Sequence, residues 1–253
     1  MIYIKTQKEI DFIRESCRIV AETLQLVKSN IKSGIATIEL DRIAEDYIRS
    51  NNAIPAFKGY SQGGLPGFPG SVCTSINDAV VHGIPGEVRL EEGDMISLDV
   101  GVLKNDYYGD AAITVAVGSI SDEKRKLLEV TEKSLQLGIE QAKNGNRVHD
   151  ISAAVQEYVE QNGFSIVRDL CGHGVGKFLH EDPAIPNFGR RGTGSKLKNG
   201  MTLAIEPMVN AGSYKVNTSS DGWTVLTEDG SPSAHFEHTI LIKDNSPEIL
   251  TIC

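Results

Sequence analysis

The chain is poor in the features that would fasten it covalently or place it in a membrane. Its 253 residues include only four cysteines, Cys17, Cys73, Cys171 and Cys253, far apart and with no C-x-x-C pair. That spacing argues against a disulfide framework and reads as reduced thiols in a cytoplasmic protein. No stretch approaches the roughly 18 consecutive apolar residues of a transmembrane helix. The opening residues, MIYIKTQKEIDFIRE, are charged from Lys5 onward and contain no apolar core of a signal peptide. Cations are also in deficit: 25 Lys and Arg face 34 Asp and Glu, for a net charge of −9 and a pI near 5.2. A protein that lives on nucleic acid or anionic lipid is not expected, although a local basic patch facing a ribosome stays compatible with that balance.

What is present is a repeated pattern. Thr6 and Glu9 form a capping-box signature, and a helix to about Asn30 follows with Ile10, Ile13, Cys17, Val20, Leu24 and Val27 near one face. After Gly34, Thr37 can cap a second helix carrying Leu40, Ile43, Ala44, Tyr47 and Ile48 at helical spacing. Ser121 can cap a third helix to about Asn144, and after Gly145 a fourth carries Ile151, Ala154, Val155, Tyr158 and Val159. Gly34, Tyr47 and Asn51 thus find counterparts in Gly145, Tyr158 and Asn162, each 111 residues later. Strand-like segments follow each helix pair, at Gly70–Ile76, Met95–Leu103 and Tyr108–Val117, and then at Ser165–Leu170, Met201–Val209, Thr224–Thr227 and Phe236–Ile242. Helices before strands in each half predict an α+β fold with antiparallel sheet. Only Gly118-Ser119 joins the halves, so one catalytic domain is expected, duplicated as about 1–118 and 119–253. The stretch 60–70, YSQGGLPGFPG, reads as a surface loop.

Residues 95–117, MISLDVGVLKNDYYGDAAITVAV, read as a β-hairpin with one aspartate in each arm. A turn centred on Lys104-Asn105 would set Asp99 directly opposite Asp110; a turn one residue later would make them diagonal neighbours on one face. Carboxylates about 5 Å apart repel by about 3 kcal/mol at an effective dielectric near 20, so the pair needs a shared proton or a cation. A loop of odd length would instead turn one aspartate to solvent. Two more carboxylates interrupt strand-like segments, Glu206 in TLAIEPMV and Glu237 in AHFEHTILI, and carboxylates are rare in half-buried strands unless paired or metal-bound. His82 in AVVHGIPG, His173 in LCGHGVG and His180 in KFLHEDP are imidazoles in glycine-rich or turn-like settings. His235 and His238, beside Glu237 but expected on the opposite strand face from it, read as structural or solvent-facing, and His149 carries no expected chemistry. Four strand carboxylates and one glycine-flanked imidazole suggest a dinuclear site for borderline divalent ions such as Mn, Fe(II), Co or Zn.

The motifs FKGY, SVCTSINDAVVHGIPG, DVGVLKNDYYGDAAITV, CGHGVGKFLHEDP, IEPMVNAG, GWTV and HFEHT run from about residue 57 to 242. In these the sequence resembles bacterial type I methionine aminopeptidases, which have the pita-bread (creatinase/aminopeptidase) fold of two pseudo-symmetric halves. The resemblance implies that two divalent metal ions are held, one by Asp99, Asp110 and Glu237 and the other by Asp110, His173, Glu206 and Glu237, with Asp110 and Glu237 bridging. It implies removal of the initiator methionine ahead of a small second residue, by a metal-bridged hydroxide attacking the scissile carbonyl. Glu206 would be the general base, His180 would donate to the developing oxyanion, and His82 would donate towards the scissile amide nitrogen or steady the tetrahedral intermediate. Cys73, Tyr60, Phe68 and Trp223 match positions lining the methionine pocket. The implied partners are N-termini of nascent polypeptides, met at the ribosome, with no direct nucleic-acid or membrane contact and a monomeric protein.

Two departures bear on that pocket. The loop after Tyr60 is longer by Ser61-Gln62-Gly63-Gly64-Leu65-Pro66-Gly67, and Leu179 stands before His180 where an aromatic is common. Two rival readings stay open: an X-Pro peptidase of the same fold, and a metal-free binding protein on that scaffold.

Overall fold

The computed structural model describes residues 2–61, 64 and 66–252. Two long helices open the chain, α1 (Gln7–Ser29) and α2 (Thr37–Ser50), followed by β1 (Ile54–Pro55), β2 (Cys73–Ile76), β3 (Ala79–Val81), β4 (Met95–Lys104) and β5 (Tyr107–Ala116). A second pair, α3 (Asp122–Gln141) and α4 (Val148–Gln161), precedes β6 (Ser165–Ile166), β7 (Cys171–Gly174), β8 (Glu181–Pro186), β9 (Thr202–Ile205) and β10 (Met208–Asn210). The chain closes with β11 (Val216–Thr218), β12 (Val225–Thr227), β13 (Ser233–His235), β14 (His238–Leu241) and β15 (Glu248–Ile249).

The helix ends follow from local chemistry. The Thr6 hydroxyl accepts from the Glu9 main-chain N–H while the Glu9 carboxylate accepts from that of Thr6, so two orphan donors of α1 are satisfied reciprocally. At α2 the cap is Ala36, not Thr37: Glu39 accepts from the Ala36 N–H, and the Thr37 hydroxyl is occupied with the backbone of Gly86. The same arrangement recurs at α4, where Asp150 accepts from the Arg147 N–H. Asn51 and Asn162 each donate a side-chain amide to the carbonyl of the tyrosine four residues earlier, Tyr47 and Tyr158. Helix α3 stops at Gln141 and does not reach Asn144, because the N–H groups of Asn144 and Gly145 are drawn to the carbonyls of Lys243 and Leu197.

All strand pairs within the sheets are antiparallel. Strand β4 carries β5 on one edge and both β1 and β2 on the other, and a five-stranded sheet runs β15-β14-β9-β7-β8. One apolar core joins Val20, Leu24, Leu40 and Ile48 of the first helix pair to Ile96, Leu98 and Val100 of β4. Another joins Leu135, Ile139 and Ile151 of the second pair to Leu203, Ile205 and Ile240. Each helix pair therefore covers the sheet of its own half, and the two halves meet along the free edge of β5.

Where they meet, β5 lies against the segment 235–239 through hydrogen bonds at alternate residues. Ala112 and Glu237 exchange main-chain bonds, Glu237 N–H to the Ala112 carbonyl at 2.8 Å and the reverse at 3.4 Å. On one side, the Thr239 hydroxyl donates to the Asp110 carbonyl at 2.7 Å and accepts from the Asp110 N–H. On the other, the Thr114 hydroxyl donates to the His235 carbonyl at 2.7 Å and accepts from the His235 main-chain N–H. Two threonine hydroxyls thus extend a pairing that the backbones make only once. This seam fixes Asp110 against Glu237 although 127 residues separate them.

Candidate metal centre and substrate cavity

The β4–β5 hairpin turns on Asn105 and Asp106, at φ of 52° and 64°. A two-residue hairpin turn of this hand needs positive φ at both central positions, which Asn and Asp tolerate and Lys does not. The turn is therefore one residue later than a Lys104-Asn105 centre. Asp99 pairs with Ala112 and Asp110 with Gly101, so the aspartates are diagonal neighbours on one face and not directly opposite. Glu206 stands immediately after β9, where Pro207, having no N–H, interrupts the strand. Glu237 lies in the break between β13 and β14, and His173 in β7 next to β9.

All eleven site residues expected from the sequence line one cavity of about 630 Å³: Tyr60, Phe68, Cys73, His82, Asp99, Asp110, His173, His180, Glu206, Trp223 and Glu237. Ligand atoms of Asp110, His173 and Glu237, all buried, lie within 4.8 Å of one another. The His173 ring shows what the group is built for. Its Nδ1 is 3.0 Å from the Gly174 carbonyl, an acceptor, so Nδ1 carries the hydrogen and Nε2 presents a lone pair. That lone pair faces Glu206 Oε1 at 3.6 Å and Asp110 Oδ2 at 4.0 Å. Acceptors facing acceptors at this spacing require a proton or a cation between them. A divalent ion bound at about 2 Å to each ligand sets neighbouring ligand atoms about 3–4 Å apart.

The electrostatics agree. Burial pushes the Glu206 carboxyl up to about 8 and that of Asp99 up to about 7. Asp110 and Glu237 are raised well above the ordinary carboxylate range, by burial first and then by the neighbouring carboxylates. Burial lowers His173 to about 3 and His82 to about 4, keeping both rings neutral. Asp99 Oδ1, Asp110 Oδ1 and Glu237 Oε1 are buried with no hydrogen-bond partner. Buried polar atoms are rarely left so in a finished fold, and a bound cation is the group that fits them.

Around this centre the other residues are held in specific ways. His82 adopts φ of 60°, a strained setting for a non-glycine residue, just before Gly83, whose N–H donates to the Ser75 hydroxyl. His180 Nδ1 lies 2.8 Å from the Tyr60 hydroxyl, a bond between two residues 120 apart. Phe68 packs edge-on against Trp223, whose indole N–H donates to the Pro66 carbonyl across the loop. Of the inserted loop residues, Gln62, Gly63 and Leu65 lie outside the described residues. Leu179 is buried and lines the cavity, and the adjoining Phe178 is 57% exposed on its rim, so an aromatic is present one position earlier than the family pattern suggests.

His235, expected on the strand face opposite Glu237, instead turns its ring onto the carboxylate cluster. Its ring is 1% exposed, with Nε2 3.5 Å from Glu206 Oε2. The i, i+2 spacing from Glu237 was the available signal, because residues two apart share a strand face.

Residues 11–244 match the model of metallopeptidase family M24. The chain belongs to that family. Across its full length it is 55% identical over 254 residues to a methionine aminopeptidase of Clostridium acetobutylicum, covering 100% of both chains. It superposes on a crystal structure of methionine aminopeptidase from Thermotoga maritima with a TM-score of 0.97, at 44% identity and with both chains covered completely. A prolidase from Pyrococcus furiosus is more distant: TM-score 0.80, 26% identity, with 99% of this chain covered but only 65% of the prolidase. The pita-bread architecture of this M24 chain is thus shared with enzymes of both specificities, and the high identity lies on the methionine side.

Proposed function

We propose that this protein is a methionyl aminopeptidase that removes the initiator methionine from polypeptide N-termini, preferring a small second residue. The observation that carries the reading is the ring of orphaned acceptors, with the His173 lone pair turned on carboxylate oxygens inside a single cavity. Two divalent ions are assigned, one to Asp99, Asp110 and Glu237, the other to Asp110, His173, Glu206 and Glu237. Manganese, iron(II), cobalt and zinc all suit that oxygen-rich donor set with one nitrogen. Such ions supply Lewis-acid polarisation of a carbonyl and an acidified water.

The chain's own groups do the rest. Glu206 accepts the proton of the attacking water and passes it to the leaving amine. If Tyr60 donates to His180 Nδ1, the ring's other nitrogen carries the hydrogen and can donate to the carbonyl oxygen as charge builds on it. His82, held neutral, donates towards the scissile nitrogen. Cys73, Phe68 and Trp223, with Tyr60, form the wall for the methionine side chain. The reading takes the chain as one catalytic domain of duplicated halves, acting as a monomer on nascent chains at the ribosome in the cytoplasm. Among the described residues no helix is long and apolar enough to cross a membrane.

Purified protein loaded with manganese or cobalt should release methionine from Met-Ala-Ser and leave Met-Leu-Ser and Ala-Pro-Ser largely intact. Faster release from the X-Pro peptide would favour the prolidase reading. No turnover and no bound metal would leave a binding protein on this scaffold.

A further inference from the structure

His235 is the one buried imidazole beside the carboxylate cluster to which the reaction above gives no part. Both its ring nitrogens are buried without a hydrogen-bond partner. Its backbone is not free to move the ring elsewhere, because the main-chain N–H and carbonyl are both bound by the Thr114 hydroxyl, itself 2.9 Å from the Ser97 hydroxyl. This double latch to the hairpin aims the ring at Glu206, with Nε2 3.5 Å from Oε2. Glu206 stands between two imidazoles: Oε1 faces His173 Nε2 at 3.6 Å and Oε2 faces His235.

The two rings cannot play the same part. His173 Nδ1 is committed to a carbonyl, so its Nε2 is a bare lone pair. His235 has no such commitment. If its hydrogen sat on Nδ1, a buried N–H would lack an acceptor and a second lone pair would face the Glu206 carboxylate, and both are costly. With the hydrogen on Nε2 the donor meets Oε2, and only a lone pair is left over. The same N–H is present whether the ring is neutral or charged. A shift of a few tenths of an ångström brings 3.5 Å into hydrogen-bond range.

We propose that His235 is a positioning residue that holds the Glu206 carboxylate through Nε2–H to Oε2, leaving Oε1 turned towards His173 for the metal. It rests on the metal assignment above and adds an outer partner to one of the proposed ligands. Outer-shell donors of this kind typically change metal affinity by about 10–100-fold when removed.

The experiment is manganese titration by calorimetry of wild type, His235→Leu and His235→Gln, with the thermal midpoint of each metal-free protein measured alongside. Leu keeps bulk but removes the donor, whereas Gln restores an N–H at similar reach. The expected result is manganese affinity weakened about 10–100-fold in His235→Leu and restored to within about threefold in His235→Gln. Unchanged affinity in His235→Leu overturns the proposal. So does an equal loss in both variants, which would make the ring a ligand in its own right. Should His235→Leu fail to fold, 15N spectra of the histidine rings in metal-free wild type, taken well above pH 8 where the Glu206 carboxyl is ionised, decide: a hydrogen on His235 Nε2 supports it, and a bare Nε2 overturns it. Wild type that takes up no manganese would sink the metal assignment, while the ring spectra would still test this one.

Discussion

Replacing Glu206 by Gln should abolish peptidase activity and, in metal-free protein, stabilise the fold. Burial raises the Glu206 carboxyl from an ordinary 4.5 to about 8 in the folded chain. A raised folded-state value means that the native protein holds this proton more tightly than the unfolded chain does. The stability so contributed is complete below about pH 4.5 and is lost as pH rises through about 8. At 1.36 kcal/mol per unit, a carboxyl shifted this far withholds about 5 kcal/mol from the metal-free fold once fully ionised. About 14% of the side chain stays exposed, and the neighbouring carboxylates share the protons. A gain of about 2–4 kcal/mol for Glu206→Gln at pH 8 is therefore expected, shrinking to under about 1 kcal/mol at pH 5. For a chain of this size that is a rise in midpoint of about 5–15 °C at pH 8. Calorimetric melts in excess chelator at pH 5, 6, 7 and 8 read it directly. Adding manganese should reverse the order, because only the wild type gains the full linkage of a bound metal. Parallel pH profiles for the two proteins, or a variant less stable than wild type at pH 8, would refute the reasoning.

The same raised carboxyls make metal uptake a competition with protons. Manganese binding at pH 7 should therefore release at least about one proton, read from titrations in buffers of different ionisation enthalpy; heats independent of buffer would contradict the shifts at Asp99 and Glu206. Tyr60→Phe removes the hydroxyl 2.8 Å from His180 Nδ1 and should lower kcat about tenfold or more with little change in KM, whereas a change confined to KM would make Tyr60 a pocket wall only. Lys5 and Glu181 form an ion pair at 2.7 Å, with side chains 4% and 1% exposed, that ties the N-terminal segment beside His180. Lys5→Met leaves the buried carboxylate with the Phe178 main-chain N–H but without its counter-charge and should cost about 3–5 kcal/mol in denaturant unfolding; a loss below about 1 kcal/mol would show that the pair is dispensable.

Much of this molecule is legible in one dimension because its rules are local. The capping residues Thr6 and Ser121 and the spaced apolar stripes mark the helices, since a helix is decided by residues three and four apart. The carboxylates that break strand-like runs, and the imidazole among glycines, advertise chemistry because a sheet does not bury such groups without a partner. The recurrence of Tyr47 and Asn51 as Tyr158 and Asn162 suggests two similar halves, and the structure sets the same hydrogen bond at each.

What the sequence could not settle depends on contacts between distant residues. It left two hairpin registers open, and the choice between Lys104-Asn105 and Asn105-Asp106 turned on backbone angles. Nor could it show that Thr114 and Thr239 would bridge β5 to the segment 235–239, which brings Asp110 to Glu237 and turns His235 onto Glu206. Which nitrogen of His173 carries the hydrogen is decided by the Gly174 carbonyl, and the meaning of that lone pair by carboxylates from other strands. Residue types and their order determined what chemistry this chain is able to do. The tertiary structure alone decided which acceptors face one another across buried space, and so where a cation belongs, because that depends on distances between groups set by the packing of two sheets.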